Sequence, residues 1–181
     1  MATLTTITEP TDEPVTLQEV KDALRIEDNS EDVRIWNIIR ASRMYAEDFC
    51  DLRLMSQVVE LSFDNWPAYE FSLGVWPIIS IDTVKYEDTA SPVATQTLVA
   101  NTDYYADITI LQGRLRTITG WPSVAVKPNA IKIRMTVGYA DQDSVPDQIK
   151  EGIKAYCAYI YDADVCMKDI AERLLWPARI I

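Results

Sequence analysis

Ile131-Lys132-Ile133-Arg134-Met135 alternates apolar and charged residues with a period of two, the pattern of a strand with one face on a core and the other in water. Working outward from it, nearly the same alternation recurs in Gln57-Val58-Val59-Glu60-Leu61-Ser62-Phe63 and in Ile79-Ser80-Ile81-Asp82-Thr83-Val84-Lys85-Tyr86, both rich in β-branched and aromatic residues. Further strands are predicted over Tyr104 to Leu111 and Arg114 to Ile118, with Gln112-Gly113 between them reading as a tight hairpin turn. Strand follows strand with no helical stretch between, so the sheet is expected to be mostly antiparallel rather than doubly wound. Val137-Gly138-Tyr139 reads as the point where the last strand turns off the sheet.

On both sides of this block the apolar period lengthens. Thr16-Leu17-Gln18-Glu19 is a capping box, in which the threonine oxygen and the glutamate carboxylate satisfy amides that the first helical turn leaves unpaired. Leu17, Val20 and Leu24 then share one face. Asp28, Asn29 and Ser30 end that helix and offer caps for a second, whose Ile35, Ile38, Ile39, Ser42, Tyr45, Ala46 and Phe49 follow helical spacing. Beyond the strands, Pro146 suits the first turn of a third helix with Ile149, Ile153, Tyr156, Cys157 and Ile160 as its apolar face. A break at Asp162 to Asp164 precedes a last helix over Val165 to Leu175, which Trp176-Pro177 must terminate, because the residue before proline is pushed out of helical geometry.

The expected fold class is therefore α+β: a helical domain of two N-terminal and two C-terminal helices with an inserted, mostly antiparallel β-sheet. At 181 residues the chain is long enough for one domain with a sizeable core. It is read as a single domain over 1–181: a flexible N-terminal arm (1–13), helices (14–51), the β-sheet insertion (54–138), helices (146–175) and a C-terminal tail (176–181). Charge follows the same division, with net −7 over residues 1–60, −1 over 61–140 and −3 over 141–181. Amphipathic helices with solvated acidic faces thus flank a nearly neutral sheet.

Composition narrows the chemistry. Hydrophobic residues make up 48% and mean hydropathy is −0.07, which is ordinary globular composition. No apolar run approaches the roughly 18 residues of a membrane span, and the N-terminus carries no basic cluster ahead of an apolar stretch, so the expectation is a cytoplasmic product with no membrane partner. The chain has no histidine, which removes the commonest general base, metal ligand and triad member. A net charge of −11 repels a phosphate backbone. Cys50, Cys157 and Cys166 are odd in number and unhelpfully spaced, so they read as reduced thiols. Asp141, Asp143 and Asp147 look briefly like a calcium loop, but Pro146 stands where that loop needs glycine and Gly152 where it needs glutamate. Asp162 and Asp164 read as helix caps. Trp66, Trp76 and Trp121 could stack sugars beside paired carboxylates, yet each precedes a proline, at strand ends where a large ring most often covers a core edge. The five glycines form no phosphate-cradling loop. The expectation is no enzyme, no cofactor and no metal.

The order of segments resembles the head-to-tail connector (adaptor, or head-completion) proteins of tailed bacteriophages. The resemblance rests on Pro14-Val15-Thr16-Leu17-Gln18-Glu19-Val20-Lys21 opening an acidic two-helix start, and on Pro77-Ile78-Ile79-Ser80-Ile81-Asp82-Thr83-Val84-Lys85-Tyr86 in the sheet. It continues through Tyr104-Tyr105 before Gly113-Arg114-Leu115, and Gly138-Tyr139-Ala140 leading to Val145-Pro146-Asp147-Gln148-Ile149-Lys150. Leu174-Leu175-Trp176-Pro177-Ala178-Arg179-Ile180 is similar to the family's Leu-Leu-x-Pro ending.

The resemblance implies a structural virion protein made in the host cytoplasm. It further implies a ring of 12 copies in the virion, under the portal, with DNA expected to pass through the lumen without sticking. Twelve copies at −11 would give a ring carrying on the order of −130. Implied partners are other copies of the chain, the portal, and a downstream stopper or tail-completion protein. The ring interface is expected on the exposed sides of the first three helices, with salt-sensitive pairs among Arg34, Arg40, Arg43, Glu47 and Asp48. The tail, Trp176, Pro177, Ala178, Arg179, Ile180 and Ile181, is expected to dock on the portal, the alternative being that it folds back on its own core. Two other readings stay open: a stopper or tail-completion protein of the same neck, and a carboxylate-based glycan hydrolase or binding module.

Overall fold

The computed structural model describes residues 2–180, and the chain forms two compact units. One comprises residues 2–10 and 56–138, the other residues 11–55 and 139–180. The sheet unit thus takes in the first strand of the chain as well as residues 56–138, and the helical unit draws on the segments before and after that block.

The first unit is all strand and loop. Strands β1 (Ala2–Thr8), β2 (Gln57–Phe63), β3 (Glu70–Ser72), β4 (Ile78–Glu87), β5 (Thr95–Leu98), β6 (Tyr104–Asp107), β7 (Arg114–Thr117) and β8 (Ile131–Val137) form a five-stranded sheet, β1-β2-β8-β4-β5, and a three-stranded one, β3-β7-β6. Every pairing between these strands is antiparallel, as expected when strands follow one another without crossover helices. The period-two stretch behaves as its pattern requires: Ile131, Ile133, Met135 and Val137 are buried, while Lys132 and Arg134 point to solvent. Those residues join Val59, Leu61 and Phe63 of β2, Val84 of β4, Phe71 of β3 and Leu115 of β7 in one core. Each buried aliphatic side chain there contributes about 1.5–3 kcal/mol.

Three expectations change in this unit. Ala2–Thr8 is no flexible arm but an edge strand, with Leu4 opposite Leu61 and Thr6 opposite Val59. Met1, also placed in that arm, lies outside the described residues. The strand expected to reach Leu111 stops at Asp107, whose carboxylate accepts from the Thr109 amide and hydroxyl and so turns the chain early. The Gln112-Gly113 turn exists, closed by the Gly113 amide on the Ile110 carbonyl at 3.1 Å, but at the end of a longer loop over 108–113.

The second unit is helical: α1 (Leu17–Leu24), α2 (Asp32–Cys50), α3 (Asp147–Asp162), α4 (Val165–Leu175) and a 3-10 turn over Trp176–Ala178. The Thr16–Glu19 capping box is formed on both sides, and Arg25 closes α1 in the left-handed region. The position before α2 is Glu31 and carries no side-chain cap; Asp28 instead accepts from the Ser30 amide within the preceding turn. Lys21, buried, spans this turn and donates to Asn29 at 2.6 Å and Asp32 at 2.8 Å, fastening α1 to α2. The predicted break after Asp162 is in place: Ala163 is left-handed and Asp164 caps α4. Val20, Ile35, Ile39, Ala46, Ile149, Ile153, Cys157 and Leu175 form the core. Ile160, assigned to the buried face of α3, is exposed.

Candidate assembly surfaces

The described residues hold no cluster of three or more carboxylates and thiols able to hold a metal ion. Asp141 accepts from the Ser144 amide at 2.7 Å and Asp164 from that of Cys166 at 2.9 Å, so both act as turn and helix caps. Burial pushes the thiols of Cys50 and Cys157 up to about 11, which leaves them poor nucleophiles; all three cysteines are free. Trp66 and Trp121 stack on each other at 4.3 Å against Phe71, and their indole N–H groups donate to the carbonyls of Pro122 and Ala68. That is a pair of rings covering a core edge, with both polar handles committed inside the fold.

On α2 the buried stripe Ile35, Ile38, Ile39, Ser42 and Ala46 leaves a second stripe outward. Val33, Trp36, Arg40, Met44 and Asp48 lie three or four residues apart along it, so they line up on one side of the helix. Val33 is 77% and Met44 52% exposed, large values for apolar side chains in a helix that buries its other face. Next to this stripe runs an open groove of about 560 Å³ floored by Ile38, Ala41 and Ile160 and walled by Glu31 and Arg34. Arg34 lies 4.6 Å over the Tyr161 ring and 3.1 Å from the Glu31 carboxylate, and Tyr161 donates its hydroxyl to that same carboxylate. The Tyr161 hydrogen bond, ahead of the Arg34 charge, holds Glu31 below the usual carboxylate range. The groove wall is thus an Arg34–Glu31 ion pair held in place by the Tyr161 hydroxyl.

Of the charged residues expected at a ring interface, Arg34, Arg40 and Asp48 stand on the surface of α2, but Arg43 and Glu47 do not. Arg43 is 2% exposed and Glu47 6%. Arg43 Nε donates to Glu13 at 2.8 Å and its terminal nitrogen to Glu47 at 3.0 Å, while Glu47 also accepts from the Leu54 amide at 2.9 Å. These side chains face inward because one arginine fork satisfies two carboxylates, and together they clip residue 13 and the chain after α2 to the helix. Burial, the largest influence, raises the Glu13 carboxyl above its ordinary value despite the arginine. A helix periodicity places 43 and 47 beside Ala46 and Cys50; that spacing was the available signal that they belong inside.

The tail folds back in part. The Ile180 amide donates to the Cys50 carbonyl at 2.9 Å, and Ala178 and Ile180 pack on the helical core. Arg179 lies over the rings of Phe49, at 5.7 Å, and Trp176, at 5.4 Å. Trp176 itself remains 57% exposed, edge-on to Phe49, at the rim of an open depression of about 390 Å³ bounded by Asp169, Glu172 and Arg173. Behind it Tyr45 stacks on Tyr156 at 3.9 Å and donates to Glu172 at 2.7 Å; burial and that bond raise the phenol above its ordinary value. An aromatic edge, two arginines and two carboxylates at a helix end suit the recognition of another protein. Ile181, the last residue assigned to this tail, lies outside the described residues.

The fold has close counterparts among solved particles. A chain of the "neck of empty GTA particle computed with C6 symmetry" superposes with a TM-score of 0.81 at 17% identity, over 99% of this chain and 96% of that one. A chain of the "virion of native gene transfer agent (GTA) particle" gives 0.79 at 17% identity, over 98% and 95%, and one of the "neck of native GTA particle computed with C12 symmetry" gives 0.79 at 15%, over 99% and 96%. No curated protein matches the chain. The head-to-tail resemblance drawn from the sequence is borne out where α1, α2 and β2 lie: residues 14–75 match the family of phage gp6-like head-tail connector proteins.

Proposed function

We propose that this protein is a non-enzymatic structural component of a virion neck, a head-to-tail adaptor that acts as a ring between the portal and the tail. The observation that carries the reading is the match of residues 14–75 to the head-tail connector family, on a fold shared nearly end to end with chains of gene transfer agent necks. Those necks were computed with C6 and C12 symmetry, which supports a cyclic assembly, and we take the ring to hold 12 copies. The outward stripe of α2, with Arg34, Arg40 and Asp48, supplies one side of the contact between copies. The Trp176–Arg179 edge docks on the portal, and the opposite end of the ring receives a stopper or tail-completion protein. A lumen walled by an acidic protein lets DNA slide without adhering.

Genetic removal tests this. Particles made without the protein are expected to give filled heads and separate tails, and imaging of complete particles should show its density at the joint. Tailed particles of normal length in its absence would overturn the reading. Co-sedimentation of the purified protein with tail-terminator rings and not with portal rings would move it to the stopper position.

A further inference from the structure

The five-stranded sheet ends on two strands that lack the usual protection of a sheet edge. β1 pairs only with β2, and β5 only with β4, so in each strand every second residue turns its amide and carbonyl away from the sheet. Natural edges are normally blunted by lysine, proline or inward charge. Here β1 reads Ala-Thr-Leu-Thr-Thr-Ile-Thr with no charge, and residues 89–102, which contain β5, are the longest uncharged stretch of the chain. The charges on this sheet's solvent face sit on its inner strands, as Glu60, Lys85, Lys132 and Arg134. Leu4 continues the face of buried Leu61 yet is exposed, as are Ile7 on β1 and Val93 and Val99 on either side of β5.

We infer that β1 of one copy pairs with β5 of the next, continuing the sheet from subunit to subunit. A cyclic assembly needs two different surfaces on each subunit, and this sheet offers two ends that are both uncharged and short of hydrogen bonds. Four successive antiparallel pairings separate β1 from β5, so the two strands run in the same direction. Copies related by rotation about an axis near that direction therefore meet with β1 and β5 parallel. Closing the ring covers both edges of the five-stranded sheet, whereas a twofold β1-to-β1 contact would close after two copies and leave both β5 edges open. The inference rests on the cyclic assembly proposed above and names a surface of the sheet unit that takes part in it.

Amide hydrogen exchange of the full-length chain, free in dilute solution and in the assembled ring, tests it. Exchange in both Ala2–Thr8 and Thr95–Leu98 is expected to slow by about tenfold or more on assembly. A second measurement uses Thr5→Cys with Thr97→Cys in a Cys166→Ser background, which should give an oxidised ladder of trimers and larger species. Rings that form with both edges exchanging as in the free chain, or protection of β1 alone with only dimers of Thr5→Cys, would overturn the strand pairing while leaving the ring intact. Failure of any ring to form, on the portal or alone, would instead remove the assembly itself and the pairing with it.

Discussion

Gly152 on α3 faces Leu175 at the end of α4 so closely that a β-carbon at position 152 would stand 2.8 Å from Leu175 Cγ and 2.9 Å from its Cδ2. Leu175 is fully buried and cannot swing aside. Alanine would ordinarily favour a helix interior by about 1 kcal/mol over glycine. Here overpacking outweighs that gain, so Gly152→Ala is expected to destabilise by about 1–2 kcal/mol in urea unfolding. Gly152→Ala combined with Leu175→Val should recover part of the loss. An additive double variant would show that the contact is not the cause.

Arg43→Met would take the shared arginine from buried Glu47 and half-buried Glu13 and should cost about 3–5 kcal/mol. Replacing both glutamates along with the arginine by apolar residues of similar size should restore most of it. Denaturant midpoints of the single and triple variants check the prediction.

Glu19 accepts from the Thr16 amide at 2.6 Å and its hydroxyl at 2.8 Å, and the backbone bond is the main reason its carboxyl lies below the ordinary value of 4.5. A carboxyl depressed by folding adds stability above its unfolded pKa and loses it as pH falls through the folded one. Glu13, raised by burial, works the other way: its ionisation opposes folding as pH rises through and above 4.5. Glu19→Gln should therefore flatten the loss of stability on acidification below pH 4.5, and Glu13→Gln the loss on the alkaline side of that value. Thr16→Ala should cost about 1 kcal/mol at neutral pH. Stability measured against pH for the three variants reads each effect.

Met44→Glu and Val33→Glu alter exposed side chains and should change stability by less than about 0.5 kcal/mol. Both are expected to prevent ring formation, as judged by sedimentation, if the outward stripe of α2 lies between copies. Arg34→Glu should weaken assembly further as salt is lowered, and Arg43→Lys should have no such salt signature.

Trp176→Ala is expected to weaken capture by portal rings by about 30-fold or more, the loss typical of an aromatic anchor, with the helical unit still folded. Full retention of portal binding would take Trp176 out of the docking surface.

Local rules carried most of the architecture. The capping box at Thr16, the period-two run at Ile131 and the left-handed break at Ala163 are decided within a few residues, and all stand where their patterns put them. β1 escaped notice because its seven residues are all exposed and their alternation breaks at Thr5-Thr6; only pairing with β2 makes them a strand. Arg43 and Glu47 looked like surface charges because burial of an ion pair depends on Glu13, a partner thirty residues away. The outward apolar stripe of α2 was hidden for a different reason: Val33, Trp36 and Met44 are interleaved with the core stripe, and composition alone does not separate two apolar faces of one helix.

The three thiols are unequal in a way that has a practical outcome. Cys50 and Cys157 are shut inside the helical unit, whereas Cys166 sits in the first turn of α4 and is open to solvent. A maleimide fluorophore will thus tag the native chain at a single known position, at the far end of the helix from Trp176. Its emission becomes a ready reporter of when, and in what order, each copy takes its place in a growing particle.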